Sequence, residues 1–155
     1  MSNNNLSPLS DEKIIEIRNN PENVDWDNIS YIYKLPEDFI IEFQNYIDFE
    51  YISYSQELSE KFIREFKDKV SWYDISVYQK LSESFIEEFQ DKVDWECISH
   101  IQELSENFII KFQDKVDWWE ISNYQKLSEN FIIDFQNKVY WDSISYNQEL
   151  SFSFI

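Results

Sequence analysis

The one cysteine and the one histidine of this chain, Cys97 and His100, stand three residues apart. On a helix that spacing places them on one face. Together they could act as a thiol nucleophile with an imidazole base, or as two ligands of a metal ion. A structural zinc takes four such ligands, and the sequence holds no second histidine or cysteine. A glycine-rich phosphate loop is excluded as well, because the chain has no glycine. Carboxylate pairs are plentiful among 31 acidic residues, but no spacing singles one out. We therefore expect no enzyme: no catalytic residue, no metal site and no cofactor.

The elements that carry these residues are copies of one another. LSESFIEEFQDKVDWECISHIQE (81–103) returns as LSENFIIKFQDKVDWWEISNYQK (104–126) and again as LSENFIIDFQNKVYWDSISYNQE (127–149). Leu35, Leu58, Leu81, Leu104, Leu127 and Leu150 are each 23 residues apart. A fixed period of this size is the signature of a stacked repeat architecture. Five full repeats run over 35–149, and 150–155 (LSFSFI) is a C-terminal half-repeat. Residues 9–34 read as a diverged N-terminal cap repeat: VDWDNISYIYK matches a second half, and LSDEKIIEIR a first half joined through NNPEN. The repeats form a single domain.

Counted from its Leu, each full repeat has Phe, Ile and Phe at positions 5, 6 and 9, and Val or Ile at 13. That spacing makes one helical stripe. Ser at position 2 is a good N-cap, replaced by Pro36 in the first full repeat. Glu at position 3 falls in the first turn, where the helix dipole favours an anion. Lys at position 12 suits the other end, so helix A is expected over positions 3–12. Asp at position 14, or Ser71 in one repeat, caps a second helix; Tyr140 breaks the cap in the last repeat, whose helix B is expected to fray most. This helix B, positions 15–22, carries an aromatic at 15, Ile at 18, Ser at 19 and Gln at 22 on one inward stripe. Burying polar Ser and Gln there requires partners, so we expect them to bond backbone at the turns or to form a ladder between repeats. A lone repeat cannot bury enough apolar surface to offset its ordering entropy; stacked repeats can. The expected fold is all-α, an α-solenoid of about six stacked 23-residue two-helix repeats.

Net charge is −18, which repels nucleic acid phosphates and anionic membranes. No direct nucleic acid binding and no membrane binding are expected. No apolar run approaches the ~20 residues of a membrane helix, the N-terminus lacks a secretory pattern, and a single cysteine fits a reducing compartment. The expected location is cytoplasmic. A protein partner with a basic surface is the natural complement. About half of the acids stand in caps and first turns, where helices favour them. The sharper reading is nucleic acid mimicry, with carboxylate rows at position 3 and position 8 imitating phosphates.

The variable positions of helix B, 16, 17, 20 and 21, turn away from the core stripe and are rich in aromatics. With position 7 of helix A they supply the candidate binding residues Tyr51, Tyr54, Tyr73, Asp74, Tyr78, Glu96, Ile110, Trp119, Glu120, Tyr124, Ile133 and Tyr146. Tyr and Trp bring large contact area at small entropic cost. The competing reading is packing between helices of neighbouring repeats. A structural or assembly role is the alternative function: Phe152, Phe154 and Ile155 could cap the last repeat or join chains end to end, as a homodimer instead of a monomer.

The recurring L-S-E-x-F-I-x-x-F-x-x-K-V-x-W-x-x-I-S-x-x-Q resembles helical repeat proteins of AT-rich bacteria, their phages and mobile elements, and giant DNA viruses. The match covers 24–155. The resemblance implies helical repeats and a mobile or viral setting, and carries over no functional residue. Small acidic proteins of such settings include inhibitors of defence nucleases of the anti-CRISPR type, an analogy of charge and size alone.

Overall fold

The computed structural model describes residues 6–151 and 154, so Phe152 and Ile155 lie outside the described residues. Among the described residues the fold is an all-α repeat of solenoid type, with twelve α-helices at regular 23-residue spacing and one two-stranded β pair. The chain divides into two compact blocks, Met1–Gln79 and Lys80–Ile155.

The first block holds β1 (Ser7–Pro8), α1 (Asp11–Asn19), a 3-10 turn (Pro21–Asn23), α2 (Trp26–Ile32), β2 (Tyr33–Lys34), α3 (Glu37–Glu42), α4 (Phe49–Ser55), α5 (Glu60–Glu65) and α6 (Trp72–Tyr78). The second holds α7 (Glu83–Glu88), α8 (Trp95–Ile101), α9 (Glu106–Lys111), α10 (Trp118–Tyr124), α11 (Glu129–Asp134) and α12 (Trp141–Asn147). Odd-numbered helices are helix A of their repeat and even-numbered ones helix B. The caps are those expected. Ser59, Ser82, Ser105 and Ser128 accept from the backbone N–H three residues on, as do Asp25, Ser71 and Asp94. Tyr140 has no capping side chain, though its N–H still donates to Ser122 Oγ at 3.0 Å, as the Ser71 and Asp117 N–H groups do to Ser53 and Ser99.

Helix A is shorter than the pattern suggests, ending at position 8 and not 12. The Phe at position 9 leaves helical geometry in all five repeats, for example Phe66 at φ −107°, ψ 25° and Phe112 at φ −109°, ψ 27°. A further turn follows, in which the Lys69 and Val70 N–H groups both donate to Phe66 O. This bend lets Phe at 9 and Val at 13 bury on the same side. The carbonyl it frees at position 10 accepts from the Trp at position 15: Trp95 Nε1 to Gln90 O and Trp118 Nε1 to Gln113 O, both 2.9 Å. Helix B ends by turning extended at its Gln, as at Gln102 (φ −84°, ψ 145°). No described residue has positive φ, so these helices need none of the left-handed caps for which glycine is usual.

Phe and Ile at positions 5 and 6, Leu at 1, Val or Ile at 13 and Ile at 18 are buried in every full repeat. Each contributes about 1.5–3 kcal/mol of transfer free energy. The aromatics at 15 are half-buried or exposed save Phe49, which is buried. Their faces meet the next repeat: Trp118 stacks on Phe131 and Phe135 at 6.2 and 5.3 Å between centroids. The Lys at position 12 serves this same contact, and not the end of helix A. Lys138 Nζ lies 5.5 Å from the Trp118 ring, and Lys69 Nζ 5.0 Å from Phe49.

The inward Ser and Gln form the ladder. Gln125 Nε2 donates to Ser99 O (2.7 Å) and Gln102 O (2.8 Å) of the preceding repeat, and its Oε1 accepts from Leu104 N–H (3.0 Å). Gln56, Gln79 and Gln148 repeat the three bonds. Ser99 Oγ donates to Trp95 O and accepts from Asp117 N–H of the next repeat at 2.9 Å. These carbonyls belong to the last turn of helix B, which otherwise leaves them without partners.

The N-terminal cap repeat differs in two ways. Helix α1 has nine residues where other A helices have six. Its buried Ile17 precedes Leu35 by the same 18 residues that separate Ile40 from Leu58. The added residues therefore lie within the helix, not in NNPEN as the sequence suggested. Where the Gln would stand, Tyr33 and Lys34 pair in parallel with Ser7 and Pro8, a strand pair the sequence did not announce.

Candidate functional site

Helix B positions 15, 18, 19 and 22 face inward, so at about 100° per residue positions 17 and 20 point nearly straight out and positions 16 and 21 lie on the two flanks. Position 16 is open in every repeat: Asp27, Glu50, Tyr73, Glu96, Trp119 and Asp142 are all exposed, Tyr73 at 61% and Trp119 at 46%. Tyr78 and Tyr124 at position 21 are exposed too, and Tyr146 at position 20 is 89% exposed. Ile110 and Ile133 are exposed on helix A.

The remaining candidates do not lie in the open. Helix B of one repeat packs beside helix B of the next: α2 on α4, α4 on α6, α8 on α10, α10 on α12. Position 20 of one therefore meets positions 17 and 21 of the following one. In the first block Tyr54 lies 6.0 Å from Tyr78 between ring centroids and 4.8 Å from Tyr51 on its own helix. Tyr51, Tyr54 and Asp74 are half-buried. Burial, the hydrogen bond to Tyr54 and the nearness of Tyr54, Tyr31 and Asp27 push the Tyr51 phenol pKa well up. Asp25, Asp27, Asn28, Tyr31 and Tyr51 line a shallow depression here.

In the second block Glu120 is buried, 8% exposed, and so is not an open docking acid. His100 Nδ1–H donates to Glu120 Oε2 at 2.8 Å, and the His100 ring stacks on Tyr124 at 3.9 Å. Trp119 meets Tyr124 edge-on at 6.4 Å. The histidine is thus engaged with the next repeat and not with Cys97. Burial first, then a hydrogen bond with Asp94 and nearby carboxylates, push the Cys97 thiol up to about 12. That is the reverse of an activated nucleophile. Among the described residues no three of His, Cys, Asp and Glu are placed to hold a metal ion.

The carboxylate rows have structural duties. At position 3, Glu37, Glu83 and Glu106 accept from the N–H of Ser59, Ser105 and Ser128, the N-cap of the next repeat, at 2.5–2.6 Å. At position 8, Glu42 takes a two-pronged bond from Arg18 (2.8 and 2.6 Å), which holds its carboxyl below the usual range.

Charge segregates on the surface. Positions 16, 17, 20 and 21 of the six B helices contain no Lys or Arg and one carboxylate per helix: Asp27, Glu50, Asp74, Glu96, Glu120 and Asp142. Every Lys and Arg lies on a helix A, in the A–B turn or at position 23. At position 23 the sign alternates, Lys34, Glu57, Lys80, Glu103, Lys126, Glu149, and Lys34 pairs with Glu57 of the next repeat. Both patterns are visible in the sequence once its repeats are stacked in register. No protein-family model, curated protein or solved structure matches this chain.

Proposed function

We propose that this is a non-enzymatic, protein-binding repeat protein whose helix B face docks a partner with a basic surface. The observation that carries the reading is the segregation just described. The B helices offer exposed Tyr73 in the first block and Trp119, Tyr124 and Tyr146 in the second, one carboxylate per helix, and no Lys or Arg. Aromatics supply contact area and attract cations over their faces; the acids orient a basic partner during approach. A cytoplasmic setting accompanies this reading.

The sharper form is inhibition of a basic nucleic acid-binding enzyme by occupation of its phosphate site. Affinity capture from the native host tests the reading. Binding should weaken steeply with salt, fail for Glu50→Lys and Glu96→Lys variants, and be competed by DNA or RNA if the sharper form holds. A partner that survives both charge reversals and high salt would refute docking through this face.

A further inference from the structure

We infer that the face of the first block, formed by α2, α4 and α6, binds an extended basic segment with a cation at every third residue, in the polyproline II conformation. This rests on the protein-binding reading above and adds the shape and spacing of the ligand. Within the block α2 packs on α4 and α4 on α6. Packed helices lie about 8–10 Å apart, so position 16 of α2, α4 and α6, which carries Asp27, Glu50 and the exposed Tyr73, recurs at about that interval, with the half-buried Asp74 next to Tyr73 in sequence. A polyproline II chain advances ~3.1 Å per residue with three residues per turn. Its side chains i, i+3 and i+6 therefore share one side at ~9 Å intervals, in register with position 16 of the three helices: the carboxylates Asp27 and Glu50 and the phenol face of Tyr73.

The surface between the acids fits such a chain. Tyr31, Tyr73 and Tyr78 are exposed and Tyr51 and Tyr54 half-buried, with Tyr54 and Tyr78 in contact across two helices. Tyrosine ridges are the surfaces on which polyproline II ligands pack, and phenol faces attract Lys and Arg. The depression of Asp25, Asp27, Asn28, Tyr31 and Tyr51 gives the first cation two carboxylates. The second block is less suited, because its central acid, Glu120, is buried against His100.

Calorimetric titration of the full chain with (Lys-Pro-Pro)3 and with its isomer Pro-Pro-Pro-Lys-Lys-Lys-Pro-Pro-Pro tests this at near-physiological salt. The spaced peptide should bind at least about ten-fold more tightly than the clustered one. Glu50→Lys and Tyr73→Ala should each weaken it by about that factor, while Glu96→Lys leaves it unchanged. Circular dichroism of each variant confirms that the helices persist. Equal affinity for the two isomers overturns the spacing and leaves a basic partner standing. Tighter binding of an alanine-based helical peptide with Lys at i and i+7 overturns the extended conformation. Loss of binding in Glu96→Lys but not Glu50→Lys overturns the choice of block. If neither peptide binds, the inference falls; if the captured native partner is also indifferent to both Glu50→Lys and Glu96→Lys, the function reading falls with it.

Discussion

His100 on α8 donates to Glu120 on α10, 2.8 Å away, and by doing so partners a carboxylate that is 8% exposed. Removing the imidazole leaves a buried charge without its partner. His100→Ala should lower stability by about 1–3 kcal/mol, and Glu120→Gln in that background should restore part of the loss. A double-mutant cycle in urea measures the coupling; a value near zero would show that the contact does not stabilise the stack.

Gln125 makes three bonds to backbone, and a leucine of similar size makes none. Gln125→Leu should cost about 3 kcal/mol, since two carbonyls and one N–H are left buried without partners. Hydrogen exchange gives a local readout: the Leu104 amide, in the turn between α8 and α9, donates to Gln125 Oε1 and should lose protection ahead of the amides inside those two helices.

Cys97 should be slow to react. With a thiol near 12, roughly one molecule in 10,000 carries the thiolate at pH 8. Reaction with a disulfide reagent should be orders of magnitude slower than for free cysteine, and should accelerate when urea unfolds the chain. Native reactivity equal to that of free cysteine would place Cys97 at the surface.

Acid should loosen the stack through Glu42 and Glu129, whose carboxyls are held below their ordinary range. For Glu42 the cause is foremost the hydrogen bond from Arg18; for Glu129 it is the Ser151 backbone N–H, then the Ser151 hydroxyl. A depressed folded pKa means stability that is present above the unfolded value of about 4.3 and lost as pH falls through the folded one. The urea midpoint should therefore drop from about pH 5 downward, less steeply in Glu42→Gln/Glu129→Gln. Parallel curves for the two proteins would exclude these groups.

Much of this architecture was legible in the chain. The 23-residue recurrence, the Ser and Asp caps and the Phe-Ile and Ile-Ser stripes each follow from local rules that hold within one repeat. What escaped depends on how one repeat sits on the next. Glu106 reads as a first-turn acid, yet it also bonds the backbone of Ser128. Lys138 reads as a helix C-terminal base, yet it lies over Trp118. Tyr54 reads as an outward residue, yet it packs on Tyr78. Stacking geometry sets these contacts, and a pattern confined to one repeat does not contain it. The bend at Phe66 and its equivalents escaped for a different reason: the Trp indole that donates to the freed carbonyl stands in the same repeat but on the following helix, and the continuous helical stripe of helix A does not announce it. On the candidate face, position 16 is exposed in all six B helices, whereas position 17 is covered from α4 onward because its side chains enter the seam between adjacent B helices, as Glu120 does.

The amide ladder also gives the chain a direction. The carbonyls that end α8 are satisfied by Gln125, which stands 26 residues beyond Ser99 and 23 beyond Gln102. During synthesis that glutamine leaves the ribosome about one repeat after the helix it completes. A growing chain is thus always one repeat short of closure at its leading edge, and each newly made pair of helices finishes the pair made before it.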